Sequence, residues 1–192
     1  MPEDIKIAIP YIKKVIEGFN IPILMSEGYE ADDVIGTLAK KAEIEGFQTY
    51  MMTPDKDFAQ LVSERVMMYK PGRSGGAPEV IGPAEVREKF HVKRSEQVID
   101  ILALMGDAAD NIPGAKGIGE KTAKKLIGQF DTVEGVYENI DEIKGKVKDN
   151  LINSKEQVFL SKELATISLL VPVKERMRLK AETGLNFFNS NT

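Results

Sequence analysis

The sequence contains no cysteine and no tryptophan, and His91 is its single histidine. The lack of cysteine excludes a disulfide framework and any thiolate metal site, and it fits a reducing cytoplasm. One histidine is too few for a histidine-based zinc site. Any metal chemistry must therefore depend on oxygen ligands.

Long apolar runs and net positive charge are also missing. No apolar run approaches the ~20 residues that span a bilayer, so no membrane partner is expected. The net charge of −4 is unusual for a nucleic-acid binder, but the charges are segregated along the chain. Residues 27–33 carry four carboxylates and no base, whereas residues 114–128 carry four lysines against one glutamate. This separation suits an enzyme that collects metal ions and holds a polyanion.

Hydrophobic periodicity predicts alternating helices and strands in the first half of the chain. Pro10 is expected to restrict the first helix to the residues after it. The predicted elements are a strand over 21–25, a helix over 31–45, a strand over 47–53, a short helix over 58–61, a strand over 66–69 and a flexible loop over 71–78. This alternation predicts an α/β fold with a mainly parallel sheet and flanking helices.

From Pro83 onward the pattern is nearly all helical, with helices expected over 83–90 and 95–105. Asp131 with Glu134, and Ser154 with Gln157, have the spacing of capping boxes. The predicted division is a partial α/β catalytic lobe over 1–91, a helical lobe over 92–170 and a C-terminal tail over 171–192.

Three acidic sets stand where predicted elements begin or end. They are Glu30, Asp32 and Asp33, then Asp55 and Asp57, then Asp107 and Asp110. Carboxylates also cap helices, and capping explains any one of the first set or Asp55 alone. It does not explain three acids within four residues, or Asp57. Asp107 and Asp110 taken alone are better explained as solvated surface acids, and it is the convergence of the three sets that indicates a metal site. Seven oxygen ligands without histidine or cysteine suit Mg²⁺ or Mn²⁺, and two such ions can activate water and stabilise a displaced phosphodiester oxygen.

The stretch 111–126 has the composition of a phosphate-binding turn. Gly117 and Gly119 allow close backbone approach, Ile118 can anchor the turn in the core, and the following helix offers its N-terminal N–H groups. A nucleotide P-loop is disfavoured because Glu120 stands where that motif needs lysine. A plain helix–helix turn remains the alternative, although it needs only one glycine.

Four segments, in order and spacing, resemble the 5′–3′ exonuclease domain of bacterial DNA polymerase I, within the wider flap endonuclease family. They are Gly-Tyr-Glu-Ala-Asp-Asp at 28–33, Thr-Pro-Asp-Lys-Asp at 53–57, Met-Gly-Asp-Ala-Ala-Asp-Asn at 105–111 and Gly-Ala-Lys-Gly-Ile-Gly-Glu-Lys-Thr-Ala at 114–123. The resemblance covers about residues 1 to 170, and the four motifs together are highly specific.

The resemblance implies a PIN-like nuclease with a helix–three-turn–helix lobe, which removes RNA primers and 5′ flaps with two divalent ions. By position, it assigns Glu30, Asp32, Asp33 and Asp55 mainly to the first metal, Asp57, Asp107 and Asp110 to the second, and catalysis to Asp33, Asp55 and Asp57. It assigns duplex DNA contacts to Lys116, Gly117, Ile118, Gly119, Lys121, Thr122 and Lys124, and a K⁺ ion to the same hairpin. It also implies the remainder of DNA polymerase I as a partner and a bacterial, nucleoid-associated location.

Family members begin with a metal-binding strand and a basic helical arch, which have no counterpart before Met1. The resemblance therefore implies a truncated piece with a reduced ligand set, and an uncovered sheet edge that favours self-association. A non-catalytic duplex DNA-binding module is the main alternative function. A cation-binding structural protein explains the acids but not the hairpin.

Overall fold

The computed structural model describes residues 2–72 and 76–173, in which an α/β part precedes a helical part. The helices are α1 (Glu3–Gly18), α2 (Ala31–Ile44), α3 (Pro83–Phe90), α4 (Gln97–Met105), α5 (Glu120–Phe130), α6 (Val133–Glu138), α7 (Lys146–Asn153) and α8 (Lys155–Ala165). The strands are β1 (Thr49–Met52), β2 (Val66–Lys70) and β3 (Glu79–Ile81), and 3₁₀ helices cover Lys56–Leu61 and Ile140–Glu142. This order confirms the predicted fold class.

The sheet of the described residues has the strand order β1-β2-β3. Strands β1 and β2 pair in parallel, with Thr49 opposite Val66. Strand β3, which the sequence did not predict, pairs antiparallel with β2. The carboxyl end of β1 leads directly into residues 53–57, so the sheet delivers the second acidic set to one edge of the molecule.

Helices α2 and α3 match their predicted bounds to within one residue. The Asp33 carboxylate accepts a hydrogen bond from the Glu30 N–H (3.2 Å), which satisfies one donor ahead of the helix. Helix α2 buries Val34 and Ala39, of which Ala39 belongs to the main hydrophobic core. In α3, Pro83 occupies the start of the helix, where a missing N–H costs nothing.

The first 25 residues differ from their prediction. Helix α1 runs without a break through Pro10, because Lys6 and Pro10 are both exposed and water can solvate the Lys6 carbonyl that loses its donor. Residues 21–25 form no strand, since no neighbouring strand offers them a hydrogen-bonding ladder within the described chain. Helix α1 buries none of its residues, and Ile7 and Phe19 are 58% and 74% exposed. Self-association through this region stays a prediction.

Helix α4 is the centre of the helical part. Its Val98, Ile101, Leu102 and Leu104 are fully buried, and it packs against α5 and α8. The buried Asp100 carboxylate accepts a hydrogen bond from Val133 N–H (2.9 Å) and pairs with Lys162 on α8 (2.7 Å). These bonds fix α6 and α8 to α4.

Two predicted capping boxes do not form. Asp131 ends α5 and accepts from Gln97, so α6 begins one residue later, where the Thr132 hydroxyl caps Gly135 N–H (3.0 Å). The Ser154 hydroxyl accepts from Lys116 N–H (3.4 Å) instead of capping α8.

No helix in the described ranges is both long enough and apolar enough to cross a membrane. The predicted tail over 171–192 falls mostly outside the described residues, as does the middle of the loop 71–78.

Candidate metal centre and nucleic-acid interface

Three aspartates from separate elements meet at one point. Asp57 lies in the 3₁₀ helix that follows β1, Asp107 follows the end of α4, and Asp110 lies in the next turn. One carboxylate oxygen of each lies within 4.8 Å of the others. Asp107 is held by paired backbone hydrogen bonds with Ile112, both 2.8 Å long. Two segments about fifty residues apart thus build one acidic cluster.

A cavity of about 210 Å³ lies beside this cluster. Its lining consists of the acids Glu30, Asp32, Asp33, Asp55, Asp57 and Asp110, together with Ile112 and residues 164–167. The fold therefore brings all three predicted acidic sets to one place. The assignment of individual residues to a first and a second metal stays a prediction.

The cluster holds more negative charge than its surroundings neutralise. Burial, followed by repulsion from Asp55, raises the pKa of Asp57 to about 6. Burial, followed by Asp55 and Glu30, also raises the pKa of Asp32. Asp57 Oδ1 is a buried oxygen with no hydrogen-bond partner within the described part of the chain. A buried, unpartnered carboxylate oxygen among other acids fits a bound cation.

Lys56 is a member of the site that sequence reasoning missed. Its ammonium forms an ion pair with Asp107. Burial raises the pKa of Asp107, but the hydrogen bonds from Lys56 and from Ala109 N–H outweigh it and hold that pKa below its usual value. The same hydrogen bond raises the pKa of Lys56. The sequence feature that could have indicated its role is the position of Lys56 between the two acids of the Asp-Lys-Asp motif.

Two of the predicted ligands already have local structural roles. Asp55 Oδ1 accepts a hydrogen bond from Asp57 N–H (3.0 Å) and so caps the 3₁₀ helix. Asp33 uses both carboxylate oxygens, one for Glu30 N–H (3.2 Å) and one for Ser168 N–H (2.8 Å). Among the described residues, the carboxylates of Asp32 and Asp110 accept no hydrogen bond, and Asp110 is exposed.

The hairpin over 114–126 is formed by the loop after α4 and the start of α5. Gly117 has φ +77°, and a Cβ there would lie 2.7 Å from Asn150 Nδ2, so the turn requires glycine. Ile118 is 3% exposed and anchors the turn in the core, as predicted. Gly119 precedes α5, whose first N–H groups have no acceptor within the helix. This geometry offers backbone donors to an anion.

The lysines of the hairpin fall into two groups. Lys116 and Lys121 are exposed and can approach a phosphate backbone. Lys124 is only 16% exposed, pairs with Glu120 (2.6 Å) and donates to the Lys89 carbonyl (2.6 Å). Lys124 therefore joins α5 to α3, and its predicted DNA contact competes with that role. Thr122 is half-buried and its N–H bonds to the Gly119 carbonyl (3.0 Å).

Two family matches together span nearly the whole chain. Residues 1–91 match the 5′-3′ exonuclease N-terminal resolvase-like domain. Residues 93–183 match the 5′-3′ exonuclease C-terminal SAM fold. The boundary between the matches falls just before α4, between the α/β part and the helical part.

Relatives in sequence and structure agree with these matches. The chain is 42% identical to DNA polymerase I of Bacillus subtilis over 174 residues, which is 90% of this chain and 20% of that protein. It thus spans about a fifth of the length of the curated relatives it matches. Bacteriophage T5 D15 protein co-crystallized with metal ions superposes with a TM-score of 0.71 at 26% identity, covering 88% of this chain and 64% of that chain.

A second T5 structure, of the D15 flap endonuclease in a pseudo-enzyme–product complex with DNA and metal ions, has a TM-score of 0.70 at 26% identity. It covers 88% of this chain and 62% of that chain. Sequence motifs, fold and both family matches converge, and the chain belongs to the 5′-3′ exonuclease family.

Proposed function

We propose that this chain carries the metal-binding and DNA-gripping parts of a 5′ nuclease that hydrolyses phosphodiester bonds. The observation that carries the proposal is the cluster of Asp57, Asp107 and Asp110, with one buried oxygen of Asp57 unpartnered among the described residues. The T5 structures with metal ions and DNA support it by their similarity in fold. The donor set is all oxygen, which suits Mg²⁺ or Mn²⁺.

The residues of the acidic cavity have different proposed roles, which follow from their positions. Asp57, Asp107 and Asp110 would hold one divalent ion, and Asp32 with Asp55, which also line the cavity, would help to hold a second. Bound ions would supply an activated water and stabilise the departing oxygen. Lys56 holds Asp107 ionised, and Asp33 fixes the turn that carries Asp32.

The hairpin would hold the duplex while the acids act on the strand. Phosphates would be contacted by backbone N–H groups at the start of α5 and by the exposed Lys116 and Lys121. Such contacts do not depend on base sequence, and they weaken as the salt concentration rises. The proposed substrates are duplex DNA with a 5′ flap or an RNA primer. The proposed context is DNA polymerase I in the bacterial cytoplasm, with K⁺ at the hairpin.

A cleavage assay tests the proposal. A labelled 5′-flap duplex is incubated with the chain and Mg²⁺ or Mn²⁺, beside Asp57→Asn and Asp110→Asn variants. Asp141→Asn is the matched control, because Asp141 is 95% exposed and lies outside the acidic cavity. We expect metal-dependent cleavage that the two cluster variants lose and the control keeps. Cleavage that survives both cluster substitutions would refute the site.

One observation favours a second function. The Lys56–Asp107 ion pair neutralises part of the cluster without any metal, so the chain can be stable as a DNA-binding module that does not cut. The same assay distinguishes the two functions. Salt-dependent duplex binding without cleavage at any divalent ion concentration would establish the binding module.

A further inference from the structure

The chain returns to the α/β part after α8. We call residues 165–171 the return segment. Gln60 is 5% exposed and holds this segment with both ends of its amide. Its Nε2 donates to the Ala165 carbonyl (2.8 Å), and its Oε1 accepts from Ile167 N–H (3.0 Å). A single buried side chain thus satisfies two backbone groups that lie more than a hundred positions away.

Helix α2 holds the next part of the return segment. Asp33 Oδ1 accepts from Ser168 N–H (2.8 Å). One turn later, the Thr37 hydroxyl donates to the Ser168 carbonyl (3.3 Å) and accepts from Val171 N–H (3.2 Å). Thr37 is 1% exposed and Val171 is 2% exposed, so these bonds are shielded from water.

The return segment also packs tightly on α2. A Cβ on Gly36 would lie 2.8 Å from Ile167 Cγ2 and 3.0 Å from Leu169 Cδ2. Only a residue without a side chain allows this approach. The contact is therefore specified by packing as well as by hydrogen bonds.

The held segment is one wall of the acidic cavity. Residues 164–167 line it together with the carboxylates. Gln60 lies in the same 3₁₀ helix as Asp57, and Asp33 is adjacent to Asp32. Each residue that holds the wall is therefore rigidly connected to a carboxylate of the cavity.

We propose that Gln60 and Thr37 are positioning residues which fix the return segment as a wall of the acidic cavity and thereby set its affinity for divalent cations. Asp33 belongs to this group, because Ser168 N–H and Glu30 N–H use both of its carboxylate oxygens. The inference rests on the proposed function, since it concerns the same cavity. Removal of a group that bonds directly to a metal ligand changes metal affinity by about 10- to 100-fold. Gln60 and Thr37 act one step further out, through the return segment, so we expect effects no larger than about tenfold.

The test measures Mn²⁺ binding to the full chain without DNA, by the loss of the free-ion EPR signal. Gln60→Met keeps the volume and removes both bonds to the return segment. Thr37→Val is the second variant, because it keeps the shape and removes only the hydroxyl. Thr132→Val is the matched control, since it deletes a hydroxyl that caps α6 by accepting from Gly135 N–H, and Thr132 does not line the acidic cavity. Hydrogen exchange at Ile167 and Ser168 reports release of the segment.

We expect Gln60→Met to weaken Mn²⁺ binding about tenfold and Thr37→Val to weaken it severalfold, with faster exchange at Ile167 and Ser168. The control should melt earlier but bind Mn²⁺ normally. Unchanged Mn²⁺ affinity together with a released segment would overturn the inference and leave the proposed function standing. If Gln60→Met does not fold, Thr37→Val decides by the same criteria. No Mn²⁺ binding by the unmodified chain would overturn both.

Discussion

Asp57→Asn should make the metal-free protein more stable at pH 8. Burial and Asp55 hold the pKa of Asp57 at about 6 instead of 3.8, which makes the ionised carboxylate unfavourable in the folded state. That difference corresponds to at most about 3 kcal/mol, and partial solvation of the side chain reduces it to about 1–2 kcal/mol. An asparagine at 57 carries no charge and avoids this cost.

The sign of the pH dependence follows from the raised pKa. The folded protein retains the Asp57 proton better than the unfolded chain, so the stability contributed by Asp57 falls as pH rises from about 4 to 6. The gain in free energy of unfolding from Asp57→Asn is therefore at its maximum at pH 8 and absent at pH 4. For a chain of this size, it corresponds to a rise in Tm of about 2 to 8 °C.

Thermal melts with a chelator and with Mg²⁺ provide the measurement. With the chelator at pH 8, the variant should melt above the unmodified protein. With saturating Mg²⁺, the unmodified protein should gain stability by ligand linkage, and the variant should gain much less. The electrostatic account of this cluster would be refuted if, with chelator at pH 8, Asp57→Asn melted no higher than the unmodified protein. It would also be refuted if the variant's Tm exceeded that of the unmodified protein by the same amount at pH 4.

Three further substitutions test other parts of the account. Lys121→Ala should weaken duplex binding and lower the slope of log K against log salt by about 1, because one phosphate contact is lost. Ile118→Ala should lower the free energy of unfolding in urea by about 2–4 kcal/mol, since it empties a buried anchor. Lys162→Met should lower the free energy of unfolding, measured by urea denaturation, by about 3 kcal/mol, because it leaves the buried Asp100 carboxylate without its cation.

Each of these has a contradicting result. Lys41→Ala serves as the control for Lys121, because Lys41 is an exposed lysine on α2 outside the hairpin. An equal salt slope for the unmodified protein and Lys121→Ala would exclude a phosphate contact at Lys121. An Ile118→Ala variant as stable as the unmodified chain would show that the turn is not anchored in the core. A harmless Lys162→Met would show that Asp100 is satisfied by Val133 N–H alone.

Local patterns in the sequence predict the local parts of this structure well. Pro83 fixes the start of α3, and the apolar spacing after Glu30 defines α2 almost to its last residue. The hairpin follows from Gly117 and Ile118, because a positive φ and a buried anchor leave clear residue signatures. The acidic sets could be associated because each stands at the end of an element.

Contacts between distant residues leave no such signature. Asp33 and Ser168 lie 135 positions apart, so no spacing rule shows that Asp33 is engaged by backbone. Pro10 was expected to interrupt α1, but the helix continues through it, and water can solvate the exposed Lys6 carbonyl that loses its donor. Lys124 pairs with Glu120 within α5 at a spacing that the sequence shows, but only the packing of α5 on α3 brings its ammonium to the Lys89 carbonyl.

Anomalous diffraction from crystals of this chain grown with Mn²⁺ tests the central claim most directly. We expect a Mn²⁺ peak coordinated by Asp57, Asp107 and Asp110, with Asp57 Oδ1 among the ligands and Lys56 displaced from Asp107. Mn²⁺ bound only elsewhere, with the Lys56–Asp107 pair intact at saturating ion concentration, would contradict the claim that this cluster is a metal centre.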